Sequence, residues 1–258
     1  MLLLHHYIDH FALIALRYFI IAGFAWLLWY QLFNGDVYYK KIQLKLPVNK
    51  DYQREIFYSI GTMLIFAIVP LLILNTAFIK FTRFYGYIHE HSILWFWMAF
   101  PIMFIIHDTY FYWTHRLMHD PRLFPYFHLV HHKSINPSPW AAYSFHPLEA
   151  IVESGVFLLL LMILPLTKIH LLAFFSVMML YNVYGHLGWE LYPKKFSTNK
   201  VGKWLNTSVN HNLHHQYFKG NYGLYFLWWD RWMHTIREDY DIKYDEVKNR
   251  TKKLKVVA

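Results

Sequence analysis

Long apolar runs dominate this chain, and short polar stretches separate them. The clearest runs cover 11–33, broken only by Arg17 and Gln31, then 56–79 and 92–113. As helices, each is long enough to cross a hydrocarbon core of about 30 Å. Two shorter runs, 150–164 and 169–187, flank Pro165-Leu166-Thr167-Lys168, which reads as a tight turn between helices. These two are marginal in length, and form either two more crossings or a short hairpin dipping into the bilayer. The pattern predicts an all-α, polytopic membrane helical bundle.

Composition agrees: of 258 residues, 56% are hydrophobic and only 16% are charged. The first run lacks a basic leader and a small-residue cleavage site, so it reads as a membrane helix and not a signal peptide. Cysteine is absent, which excludes disulfides and thiolate metal sites.

Charge then orients the bundle. Lys40, Lys41, Lys45, Lys50 and Arg54 lie in loop 34–55, and Arg116, Arg122 and Lys133 in loop 114–149. Thirteen Lys and Arg follow residue 187, against Lys80, Arg83 and Lys168 on the other side. The positive-inside bias places the N-terminus outside and the C-terminus in the cytoplasm. The net charge of +9 reads as topology and contact with membrane lipid headgroups. No nucleic-acid partner is expected, because no binding motif accompanies the charge.

Candidate chemistry lies in the histidines. The pattern His-x-x-His-His occurs twice, at His128, His131 and His132 and at His211, His214 and His215. His115 and His119 form a further pair four apart, and Asn182 and His186 another. Positions i, i+3 and i+4 share one face of a helix, so each motif is expected to aim its imidazoles at one point. By topology all these residues arrive on the cytoplasmic face. The expected ligands are His115, His119, His128, His131, His132, His186, His211, His214 and His215, with Asn182 a weak or water-mediated tenth. That exceeds what one metal can use, so a cytoplasmic helical cap holding a histidine-rich dinuclear site is expected. His5, His6, His10, His89, His91 and His170 lie away from the motifs, and His107 and His234 lack ligand spacing.

Ligating histidines need partners for the second ring nitrogen. Asp108, Glu149, Glu153 and Asp230 are the carboxylates placed for that role. Glu153 lies inside an apolar run, where an ionisable group is costly and usually functional. His146, in Ser144-Phe145-His146-Pro147-Leu148-Glu149, reads either as part of a helix start or, the favoured reading, as a pocket residue supporting a ligand. Asp108, His146 and Glu149 are thus the candidate catalytic residues beside the metal ligands. Spacing alone does not choose iron over zinc. A dinuclear site beneath an aromatic-rich helical cup at a membrane surface suits a lipid whose chain lies in the bilayer.

The stretch from Asp108 to His119 resembles the first histidine box of the fatty acid hydroxylase/sterol desaturase superfamily. His128-Leu129-Val130-His131-His132 resembles its second box, and His211-Asn212-Leu213-His214-His215 its last. Asn221-Tyr222-Gly223 and Trp229-Asp230-Arg231 are similar to the segment that follows. The resemblance covers roughly residues 50–238. Pro137-Ser138-Pro139, Phe145-His146-Pro147 and Arg54-Glu55-Ile56 look most like the C-5 sterol desaturase branch. Two departures stand out: His234 occupies a position where glycine is expected, and Asn182 one where some members carry histidine.

The resemblance implies a membrane-bound oxygenase with two iron ions, hydroxylating or desaturating a lipid chain or sterol ring with O2 and two external electrons. No Gly-x-Gly-x-x-Gly follows a strand and no haem motif is present, so the electrons come from a separate cytochrome b5-like, ferredoxin or reductase partner. The basic tail, with Lys243, Lys248, Arg250, Lys252, Lys253 and Lys255, reads first as solvated or headgroup-binding, and second as a dock for an acidic donor. A non-redox zinc hydrolase and a metal-binding membrane protein are the competing readings, although no general base accompanies the motifs as in His-Glu-x-x-His. The expected organisation is an N-terminal helix and basic loop over 1–55, a catalytic domain over 56–238 and a basic tail over 239–258. A bacterial cytoplasmic membrane is favoured over the endoplasmic reticulum.

Overall fold

The computed structural model describes residues 1–251 and is helical, with only isolated β-bridges and no strand among the described residues. Lys252, Lys253 and Lys255 of the expected basic tail lie outside the described residues. Seven longer helices organise the chain: α1 (Leu2–Trp26), α2 (Asn49–Leu74), α3 (Ile93–Met118), α4 (Pro147–Ile163), α5 (Lys168–Gly185), α6 (Ser208–Tyr217) and α7 (Tyr240–Asn249). Three segments are long and apolar enough to cross a membrane: Leu2–Leu32, in which a π-helical turn extends α1, Asn49–Leu74 and Ile93–Met118. Their outward faces carry side chains such as Leu16, Phe24, Phe57, Leu72 and Trp97, which suit lipid contact.

Helix starts follow local chemistry. Ser92 accepts from the N–H of Trp95, Thr167 from that of His170 and Thr207 from that of Asn210. Asp51 reaches back to the N–H of Val48 at the head of α2. That helix begins seven residues before the apolar run, so the division expected at residue 55 falls inside it. Likewise α1 starts at Leu2, nine residues early, because His5, His6, Asp9 and His10 lie at its partly exposed end and are tolerated there.

α4 and α5 have 17 and 18 residues and form a hairpin turned at Leu164–Thr167. Arg83 N–H to Leu161 O and Tyr85 N–H to Leu166 O tie the α2–α3 connection to that turn. One apolar core joins Tyr18, Ala22, Met63 and Ala67 of α1 and α2 to Met179 and Val183 of α5 and to Tyr143 and Phe145. A second core packs Ala99 and Met103 of α3 on Leu160 and Phe174 of the hairpin. The remaining helices form a cap at one end of the bundle, where Val209 and Leu213 of α6 pack on Tyr240 and Tyr244 of α7.

Candidate metal centre

The cap brings nine histidines together at the ends of α3 and α5. One group gathers His115, His119, His128, His132 and His214, and a second gathers His131, His186, His211 and His215, the nitrogens of each group lying within 4.8 Å of one another. The groups adjoin, since the rings of His132 and His215 are 4.9 Å apart.

Each His-x-x-His-His motif divides between the groups, which corrects the expectation that its three rings meet at one point. His128 and His132 face the first group while His131 faces the second; His211 and His215 face the second while His214 faces the first. Residues i and i+4 differ by about 40° around a helix axis, but i+3 and i+4 by about 100°. Adjacent histidines therefore diverge.

Within the groups, Nε2 atoms face one another. His115 to His128 is 2.9 Å, His132 to His119 3.2 Å and His132 to His214 3.1 Å. His211 to His186 is 3.0 Å, His215 to His186 3.1 Å and His186 to His131 3.3 Å. The opposite ring nitrogens set the tautomers. Nδ1 of His115 donates to Tyr222 O (2.9 Å), and Nδ1 of His214 to Gly220 O (2.7 Å). Nδ1 of His186 donates to Asn182 O (2.8 Å), and Nδ1 of His215 to Ser134 O (3.0 Å). A carbonyl only accepts, so these rings carry the proton on Nδ1 and present a lone pair on Nε2. Two such lone pairs, as on His186 and His215 at 3.1 Å, repel unless a cation lies between them.

Protonating a ring is disfavoured, because burial pushes His214 and His215 well below the usual imidazole range. A metal fits instead. With metal–nitrogen bonds near 2.1 Å, neighbouring nitrogens of an octahedral shell stand about 3.0 Å apart. The carboxylate of Glu149 supplies a further match: Oε1 lies 2.6 Å from Nδ1 of His128, and Oε2 is buried without a partner.

Other predicted site residues act differently. Asp108 touches no histidine ring; its Oδ1 accepts the N–H groups of Tyr225 (2.8 Å) and Phe226 (3.1 Å). Asp230 accepts those of Tyr222 and Gly223 and the Thr235 hydroxyl. Burial raises the Asp230 carboxyl although these donors oppose it. Both carboxylates pin the 220–226 loop, whose carbonyls hold His115 and His214. His146 is the helix-start residue: its Nδ1 accepts the Leu148 N–H at 3.2 Å, which corrects the favoured pocket reading. The Asn182 amide donates to Ala142 O, and its backbone carbonyl orients His186. His234 adopts φ 52°, left-handed backbone that accounts for glycine being expected there.

Sequence reasoning missed His107, whose Nδ1 lies 2.9 Å from the Tyr225 hydroxyl. It lines an apolar cavity of about 400 Å³ among α1, α2, α3, α4 and α5. Phe111, Phe145 and Asn182 carry this cavity to the histidines: Phe111 lies 4.9 Å from the His115 ring, and Phe145 5.1 Å from that of His131. Leu13, Leu74 and Ile169 line its far end. No helical periodicity announces such a space, because five separate helices enclose it.

The family profile "Fatty acid hydroxylase" matches residues 100–235. A Delta(7)-sterol 5(6)-desaturase, ERG3B of Gibberella zeae, is 33% identical over 165 residues, 60% of this chain and 49% of that protein. The Delta(7)-sterol 5(6)-desaturase of Leptosphaeria maculans is 29% identical over 227 residues, 87% of this chain and 59% of that protein. Schizosaccharomyces pombe erg31, of the same description, is 28% identical over 162 residues, 63% of this chain and 51% of that protein. The chain spans between about half and three fifths of the length of these relatives. No solved structure matches it. The matched region runs from within α3 to beyond α6 and contains all nine clustered histidines, so the chain belongs to the fatty acid hydroxylase family.

Proposed function

We propose that this protein is a membrane-bound di-iron oxygenase that desaturates or hydroxylates a lipid, with a sterol ring the favoured substrate. The observation that carries this reading is nine clustered histidine rings beside an apolar cavity, whose wall residues Phe111 and Phe145 pack on His115 and His131. His115, His119, His128, His132 and His214 would hold one iron, and His131, His186, His211 and His215 the other, with Asn182 orienting His186. Iron bound there supplies O2 reduction and hydrogen abstraction from an unreactive carbon, which side chains alone cannot perform. The chain's own residues do the rest. The carbonyls of Tyr222, Gly220, Asn182 and Ser134 fix the ring tautomers, Glu149 balances charge behind His128, and Phe111 and Phe145 exclude water from the mouth.

The sterol assignment draws on the relatives' names, and the cavity volume lies within the range of small-molecule sites. The catalytic unit includes α1, because Leu13 and Arg17 line the cavity. The charge bias supports a cap on the cytoplasmic side. The fungal relatives favour the endoplasmic reticulum over the bacterial membrane. A separate one-electron donor docks on the cap, where Arg122, Lys133 and Lys219 are exposed.

The test is metal content and redox response of detergent-purified protein expressed with iron, followed by sterol and acyl-lipid mass analysis of expressing cells. Two irons per chain, a ferrous form that reacts with O2, and a lipid mass change of −2 or +16 are expected. One metal, or zinc unaltered by reductant, refutes the oxygenase and supports the hydrolase alternative.

A further inference from the structure

The turn of helix Trp228–Trp232 lies against the flank of α3. The Trp229 indole donates to the Thr109 hydroxyl at 3.1 Å, and its ring stands 5.9 Å from that of Tyr112 and 5.5 Å from that of Trp113. Thr109 lies about 14 Å along the axis from the end of α3 at Met118. α3 itself is about 39 Å long, against a hydrocarbon core of about 30 Å. The turn therefore sits where headgroups meet hydrocarbon. Its two faces differ. Asp230 is buried and accepts the N–H groups of Tyr222 and Gly223. Trp228 and Trp232, one turn apart, stack with ring centres 6.3 Å from each other, and Trp232 is exposed. Trp113 and Leu117 of α3 carry the exposed apolar face onward.

A basic strip borders this face. The Leu227 N–H donates to Trp204 O at 2.9 Å, which brings segment 193–204 alongside. That segment holds Lys194, Lys195, Lys200 and Lys203, no Asp or Glu, and the exposed Val201 and Trp204. Arg231 donates from Nε to Lys203 O at 2.7 Å. Its guanidinium lies 5.9 Å from the centre of the Trp204 ring and the Lys203 ammonium 5.2 Å, while Arg116 stands 5.8 Å from the centre of the Trp113 ring. Lys194 donates to Asn249 and Arg116 to the Tyr112 hydroxyl, and none of these cations enters an ion pair among the described residues. Of the carboxylates nearest in sequence, Glu190 and Asp230 are buried and bonded inward, Asp239 is paired with Arg237, and Glu238 is exposed. The strip thus keeps a surplus of positive charge.

We propose that segment 193–204 and the turn Trp228–Trp232 form an interfacial seat for anionic phospholipid. Val201, Trp204 and Trp232 enter the boundary between headgroups and acyl chains, and Lys200, Lys203 and Arg231 face the lipid phosphates. Depth selects lipid over a protein partner. A soluble protein docks above the headgroups, whereas this turn packs beside Thr109 and Trp113, within the apolar span of α3. The exposed face is also continuous with the lipid-facing side of that span. Charge selects the headgroup. Tryptophan suits the interface of any bilayer, because its ring is apolar and its N–H polar. A surplus of cations beside it is stabilised only where the surface is negative, by roughly fivefold for each basic side chain.

The test uses the full chain in nanodiscs of phosphatidylcholine, with or without phosphatidylserine. The chain has no cysteine, so Val201→Cys and Trp232→Cys each place a single probe on the seat, and Asp245→Cys places one on the charged helix α7 as a control in water. Nitroxides on the seat should collide with O2 in preference to a water-soluble nickel chelate, and the control should show the reverse. A fluorophore at Val201→Cys then reads its neighbours by energy transfer to headgroup-labelled lipid. Phosphatidylserine should be enriched there at least about fivefold over phosphatidylcholine, the scale of one basic side chain. Lys200→Gln with Lys203→Gln should bring the ratio close to one, and Lys200→Arg with Lys203→Arg should keep it. Melting temperature and metal content verify that each variant is folded. Seat labels as open to the nickel chelate as the control, equal levels of the two lipids, or an enrichment unchanged by the glutamines overturns the proposal. Protection of the seat labels by an acidic protein in place of lipid overturns it as well. None of these readings depends on the oxygenase reaction.

Discussion

Replacing Glu149 with glutamine isolates one charge at the histidine centre. The residue is 1% exposed and its partner His128 2%, so water does not screen the pair. Glutamine has nearly the same volume, and its carbonyl oxygen can still accept from Nδ1 of His128 at the 2.6 Å position. Cavity and tautomer effects therefore largely cancel, and what changes is the negative charge that a cation bound on the far side of the ring would hold on Glu149 against its burial, which raises the carboxyl. A hydrogen bond to a charged group is worth about 1.5–3 kcal/mol, which corresponds to roughly ten- to a hundredfold in affinity, as for other residues that back metal ligands. Glu149→Gln should thus weaken metal at the first group by that factor. The second group should change little, because His186 and His215 are backed by carbonyls. The assay is chelator competition on purified protein, resolving the two binding steps, with melting temperature as the folding control. Equal weakening of both steps, or of neither, would refute the claim that Glu149 acts through His128.

Chelating the metal should lower the melting temperature, and restoring it should recover the loss; at a thousandfold excess over Kd each ion stabilises by about 4 kcal/mol. Gly220→Ala should cost metal from the first group before the second, read by the same competition. Gly220 has φ 77°, a Cβ there would stand 2.5 Å from Thr235 O, and its carbonyl holds His214. Lys41→Met should raise the melting temperature, more near pH 7.5 than near pH 9.5. Burial lowers the Lys41 pKa to about 7 and leaves Nζ without a hydrogen-bond partner, although the Trp189 face 4.3 Å away favours its charge. Between pH 7 and the unfolded value of 10.5, the unfolded chain holds a proton that the folded chain has released, so the native lysine loses stability as pH falls through that window. An unchanged or lower melting temperature in Lys41→Met would show that the aromatic cage needs the cation.

The three spans and the hairpin were legible because hydrophobic length is local information. The histidine motifs were legible for the same reason, since spacing along a helix requires no tertiary knowledge. Their division between two groups was also implicit in the 100° step between neighbours, yet the shared face of i, i+3 and i+4 concealed it. Asp108 and Asp230 stand out in the sequence as carboxylates expected to back ligating histidines, and in the structure they take other partners. They bind backbone N–H groups of a loop whose other side holds the rings, an indirect arrangement that sequence does not display. His146 belongs to the helix start because Pro147 begins α4 there and the His146 ring caps that helix. The cavity stayed invisible because its walls come from residues as far apart as Leu13 and Leu224.

The division of each motif has a mechanical consequence. His131 and His132 are neighbours on one short turn, as are His214 and His215 on α6, and each pair straddles both groups. The spacing between the two centres is thus ruled by two stiff turns of backbone, as the gauge of a track is ruled by its sleepers. Inserting one residue between either pair of neighbours would swing every later ring by about 100° and detach one rail entirely. Whatever comes and goes between the centres, the gauge stays the same.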